Sequence, residues 1–157
     1  MSATLAQCGV SQAAVDKIDG ALKALVEGAA LNSALVIDHS GYIVARRGQI
    51  EHVRPEELAS IAAGVFASFE MIIRARELTM DFHTKGVDNI HFVRLNTQML
   101  LLSLFGQSCD VATVRTKARA TAKSISKVLG QTQTVQVKLG SVHFITSKLD
   151  EMFKDVL

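Results

Sequence analysis

The run Met99-Leu100-Leu101-Leu102-Ser103-Leu104-Phe105 constrains the fold most. Successive side chains of a strand point to opposite faces, so this run needs apolar cover on both sides. It predicts a central strand, read from Gln98 to Phe105, in a sheet with helices on each face. The run is far shorter than the ~20 apolar residues that span a bilayer. At 157 residues the chain is long enough for a single real core.

The rest of the chain supplies the partners of that strand. Ser11 is positioned to cap a first helix running to about Ala30, with Val15, Ile18, Leu22, Leu25 and Val26 at three- and four-residue spacing. Ala34 to Asp38 and Tyr42 to Ala45 are β-rich runs around His39-Ser40-Gly41, which reads as a hairpin. Pro55, the only proline, suits the first position of a second helix reaching about Arg76. Leu78, Met80 and Phe82 then alternate with polar residues, and a turn over Lys85 to Asn89 leads into a strand from Ile90 to Leu95. Asp110 is positioned to cap a third helix, with Val111, Val114, Ala118, Ala122, Ile125 and Leu129 on one face. The order is α-β-β-α-β-β-β-α, and the tight turns imply an α+β fold built on a five-stranded antiparallel sheet with helices on both faces. Residues 1–130 read as the domain. Residues 131–157 read as a C-terminal extension that ends in a short amphipathic helix, with Leu149, Met152, Phe153, Val156 and Leu157 at helical spacing.

Chemistry-bearing motifs are scarce. The sequence has no phosphate-binding glycine loop, no Gly-x-Ser-x-Gly elbow, no His-Glu-x-x-His and no Cys-x-x-Cys. Asp81, His83 and His91 are the best candidate metal ligands, provided that a hairpin pairs His83 with His91 and Phe82 with Phe92. The plainer reading, a polar solvent-facing strand, is preferred, and no metal or cofactor is expected. Cys109 stands before a helix start, where a thiolate is favoured, but an inert small side chain is the simpler reading. Arg115, Arg119, Lys123 and Lys127 form a basic stripe without interleaved aromatics, and net charge is only +2, so neither nucleic acid nor membrane insertion is expected. Met1 to Val10 lacks the basic-then-apolar pattern of a signal peptide, and two cysteines are too few for a disulfide framework, so a cytoplasmic location is expected.

The second helix is the most informative segment. Hydrophobic residues make up 48% of the chain but aromatics only 5%, so the apolar mass is small and aliphatic, more than one small globule must hide. On a helical wheel, Ile61, Ile72, Val65, Leu58, Phe69, Ala62, Ile73, Phe66 and Ala59 cover about 160°, and Ala63 and Ala67 widen the arc to roughly 240°. Docking on one sheet needs a stripe of only about 100°. One reading wedges this helix between the sheet and the third helix. The other turns its bulky side to the sheet and leaves a small-residue face as a protein-binding platform.

Several segments resemble the roadblock/dynein light-chain family: Leu35-Val36-Ile37-Asp38 followed by Gly41, Leu58-Ala59-Ser60 with Ala62-Ala63-Gly64, and Leu101 to Phe105 leading to Val114-Arg115. The resemblance covers residues 12 to 129. It is strongest to bacterial members that co-regulate a Ras-like GTPase in polarity and motility, through Phe82-His83 and the tail Leu149-Asp150-Glu151-Met152-Phe153. It implies a roadblock/profilin-like sandwich that forms a homodimer, possibly a higher assembly, through its third strands, with the second helices side by side. It also implies that Ser60, Ala63, Gly64, Ala67 and Met71 meet the GTPase, where Met71 departs from the small residue expected. The activity implied is stimulation of GTP hydrolysis by reordering the GTPase's own residues, without catalytic residues in this chain. Arg74 and Arg76 are the candidates for a direct arginine finger, which the resemblance argues against. Leu149, Met152 and Phe153 are a candidate second contact. A non-catalytic scaffold for a GTPase or motor complex and a small-molecule sensor are the alternative readings.

Overall fold

The computed structural model describes residues 9–72, 79–83 and 88–136. Three helices, α1 (Gln12–Ala29), α2 (Pro55–Ile72) and α3 (Val111–Gln136), accompany five strands. These are β1 (Ser33–Asp38), β2 (Ile43–Gly48), β3 (Thr79–Phe82), β4 (Asn89–Arg94) and β5 (Met99–Phe105). They form one sheet in the order β2-β1-β5-β4-β3, with every neighbouring pair antiparallel. The element order and the central position of β5 are as expected, and β1 and β5 are buried along their whole length.

Helix starts follow the capping rules. The Ser11 hydroxyl accepts the Ala14 N–H at 3.2 Å, and the Asp110 carboxylate accepts the Thr113 N–H at 3.2 Å and the Thr113 hydroxyl at 2.6 Å. Those bonds hold the Asp110 carboxyl below the ordinary carboxylate value, with its small burial opposing them. Two side chains organise the turns. Asp38 Oδ1 accepts the Ser40 and Tyr42 N–H groups, each at 2.9 Å, and Asn96 Oδ1 accepts those of Gln98 and Met99. The third helix continues to Gln136, past the apolar stripe that ends at Leu129.

Strand alternation divides the core in two. Val36, Leu101 and Val93 face α1 and α3, whose Ile18, Leu22, Leu25, Val114, Ala118, Ala122 and Ile125 complete the larger cluster. Leu35, Ile37, Phe92, Leu100, Leu102 and Leu104 face α2. This corrects the wedged reading, because α2 and α3 lie on opposite faces of the sheet.

The roll of α2 is also different from that expected. Ala59, Ala62, Ala63 and Phe66 are its buried residues, while Ile61 and Ile72 stand in solvent. The sheet already supplies large leucine, isoleucine and phenylalanine side chains, so an alanine-rich helix face lets the layers approach closely. Ile61, Phe69 and Ile72, expected on the sheet, are thereby turned outward, while Phe66 docks on it as expected.

Candidate protein-docking face

The outer surface of α2 is unusually apolar. Met71 is 84% exposed, Ile72 79% and Ile61 62%, and Phe69 is also exposed. Ser60, Gly64, Ala67 and Ser68 lie exposed among them, and space around Gly64 is open, so another backbone can come close. The Ser68 hydroxyl donates to the Gly64 carbonyl at 2.9 Å, so this polar side chain is turned back onto the helix. Pro55, Glu56 and Glu57 open the helix as expected for its positive end. Near its other end, Arg94 Nη1 donates to Glu70 Oε1 at 3.0 Å and ties α2 to β4. The helix is therefore fixed to the sheet by its inner face and one ion pair, leaving its outer face without cover from this chain's described residues.

Of the residues expected on this face, Ser60, Gly64, Ala67 and Met71 are exposed together, whereas Ala63 is only 5% exposed and packs inward. Ala63 and Ala67 border a shallow groove against His39, Phe66, Glu70 and Asn96 to Leu100. Leu149, Met152 and Phe153, like Arg74 and Arg76, lie outside the described residues.

The sheet has two edges of different character. Strand β2 carries exposed Arg46, Arg47 and Gly48, and Arg47 Nε donates to Asp19 Oδ1 at 2.7 Å. Charged side chains of this kind discourage strand addition. Strand β3 (Thr-Met-Asp-Phe) has no Lys, Arg or Pro and no neighbour on its outer side among the described residues. Exposed Phe82 packs edge-on against Phe92, with ring centres 5.4 Å apart.

The β3–β4 register corrects the proposed metal constellation. Asp81 lies opposite His91, and Met80 opposite Phe92, so the pairing of His83 with His91 is off by two positions. His83 is exposed, and the described residues hold no group of three or more His, Cys, Asp or Glu placed to bind a metal. Instead Asp81 Oδ1 hydrogen-bonds His91 Nδ1, and Asp81 Oδ2 accepts from Arg115 Nε at 2.8 Å. Burial pushes the Asp81 carboxyl upward, but the bonds from His91 and Arg115 outweigh it and hold the group below the ordinary carboxylate value.

A lowered carboxyl pKa contributes stability in full above the unfolded value, and that stability is lost as pH falls through the folded value. Denaturant midpoints of wild type and Asp81→Asn should therefore differ at about pH 6, and the gap should shrink as pH falls below the ordinary carboxylate range. A gap of constant size would contradict the assignment.

The other candidates have structural roles. The Cys109 thiol donates to the Ala30 carbonyl at 3.1 Å. Within the basic helix, Arg115 serves Asp81, and Lys117 donates to the Gly28 carbonyl at the end of α1. Sequence reasoning found no convergent polar cluster, yet loops at one end of the sheet enclose an open cleft of about 460 Å³. Asn32, Gln49, Glu51, His52, Asp88 and Gln107 line it, drawn from segments far apart in sequence, and no spacing signal could have joined them.

Neither a protein-family model nor a curated protein sequence matches the chain. Solved structures do. Myxococcus xanthus MglB superposes with a TM-score of 0.68 at 19% identity, over 75% of this chain and 91% of that one. The gliding protein MglB of Thermus thermophilus gives 0.66 at 14% identity, over 78% and 95%. A Roadblock/LC7 domain from Streptomyces avermitilis gives 0.58 at 17% identity, over 71% and 96%. By its sheet order, its helix placement and these likenesses, the protein is a roadblock-fold protein whose architecture is similar to that of MglB.

Proposed function

We propose that this chain is a homodimeric regulator of a Ras-like small GTPase, and that it stimulates GTP hydrolysis without an active site of its own. The observation that carries the reading is the uncovered apolar surface of α2, where Ile61, Met71 and Ile72 are the most exposed large side chains. Monomeric proteins seldom leave such side chains contiguous without a partner. The roadblock resemblance supplies the partner's class. Ser60, Gly64, Ala67 and Met71 form the contact with the GTPase switch region, with Ala63 supporting them from beneath. Strand β3 is the edge through which two copies pair, since β2 is guarded by arginines and β3 is not. Leu149, Met152 and Phe153 serve as a second contact.

The mechanism is a shift of conformational population. A dimer that binds the hydrolysis-competent arrangement of the GTPase more tightly raises the population of that arrangement and so the rate. Arg74→Ala plus Arg76→Ala tests this against a supplied arginine finger. Stimulation of GTP turnover is expected to survive in the folded double variant, and its loss would contradict the reordering mechanism.

A further inference from the structure

We infer that Asp81 is the positioning residue of the pairing edge: its carboxylate latches β3 to α3 and fixes the register in which that edge is presented. The inference rests on the reading of β3 as the dimer edge. Four residues paired on one side make a weak strand, because short two-stranded pairings are marginal alone. Asp81 joins that strand to two rigid bodies at once. Its directly opposite neighbour, His91, is 2% exposed and continues a row of opposed residues through Ser103 of β5 and Ala34 of β1. Its other partner, Arg115, follows Val114, which is fully buried between α3 and the sheet.

A charge-assisted bond backed by a buried imidazole is stronger than one in open water. The latch also selects one register. A slip of one residue would carry Asp81 to the α2 face, away from both partners, and would turn Met80 and Phe82 toward α3. Any strand adding to the outer side of β3 inherits that register. The Asp81 side chain sits on the α1/α3 face of the sheet, opposite the α2 surface, so changing it leaves the proposed GTPase contacts untouched.

The test compares full-length wild type, Asp81→Asn and Arg115→Gln by sedimentation over a dilution series and by amide exchange. Asp81→Asn is expected to raise the dimer dissociation constant about tenfold, because charge assistance to both His91 and Arg115 is lost and each protomer must order β3 before it pairs. Exchange at Thr79 to Phe82 should accelerate while β5 amides keep their protection, a local effect that general destabilisation would not produce. Arg115→Gln, which keeps the His91 pair, should show the same pattern more weakly. A dimeric wild type whose affinity and β3 exchange are unchanged in Asp81→Asn overturns the latch. A wild type that stays monomeric contradicts the pairing edge instead. In that event faster β3 exchange in Asp81→Asn still supports the latch, and unchanged exchange overturns it.

Discussion

Ala67→Arg is expected to leave the protein folded and to abolish its effect on the GTPase, whereas Ala63→Arg is expected to unfold it. The two alanines are one helical turn apart and chemically identical, and they differ in where they stand. Ala67 is exposed between Gly64 and Met71, so an arginine there extends into water and should change stability by no more than about 0.5 kcal/mol. The same arginine occupies the space a partner backbone needs. Loss of affinity of roughly 30-fold or more is the ordinary scale for disrupting the centre of an interface. Ala63 is buried among Leu100, Phe66 and the sheet, where an unpaired guanidinium costs more than about 4 kcal/mol. Thermal melts beside GTP turnover separate the outcomes. A folded Ala67→Arg that stimulates hydrolysis like wild type would remove α2 from the interface.

Gly41→Ala is expected to destabilise the protein by about 2–4 kcal/mol and to lower stimulation beyond what the lost stability explains. Gly41 has φ +89°, which side-chain-bearing residues rarely adopt, and its N–H donates to the Asp38 carbonyl at 3.0 Å. A Cβ there would lie 2.8 Å from the Ser60 Cα, so the hairpin turn and the α2 backbone cannot both stay in place. Turn geometry thus sets the seating of the docking helix at the residue expected to touch the GTPase. For a chain this size, the shift in melting temperature should be about 2–4 °C per kcal/mol. An unshifted transition would mean that the turn accommodates the methyl group without moving α2.

Elements with a single strong periodicity were legible in the sequence. The apolar run of β5 gave its central, doubly covered position, and Ser11 and Asp110 marked two helix starts at the residues that do cap them. The exposed small-residue strip of α2 was legible in part: Ser60, Gly64 and Ala67 stand on it, but Ala63, read with them, is buried. What could not be read was the roll of that helix, because the answer depends on the sheet's side chains as much as its own. Leu35, Ile37 and Phe92 fill the layer, so Ala59, Ala62 and Phe66 dock and Ile61 faces out.

The β3–β4 register failed for a related reason. The expected pairing and the observed one differ by two positions, so each residue keeps its face and alternation cannot tell them apart. Arg115 decides what Asp81 does, and it comes from a helix 34 residues further along the chain. Only tertiary structure brings that pair together.

The central claim is most directly tested by single-turnover GTP hydrolysis on a Ras-like small GTPase from the same organism, with increasing amounts of this protein. A saturable rise in the hydrolysis rate is expected, lost in Ala67→Arg and retained in the Arg74→Ala plus Arg76→Ala variant. A protein that binds the GTPase yet leaves its hydrolysis rate unchanged at saturation would contradict it and identify a scaffold.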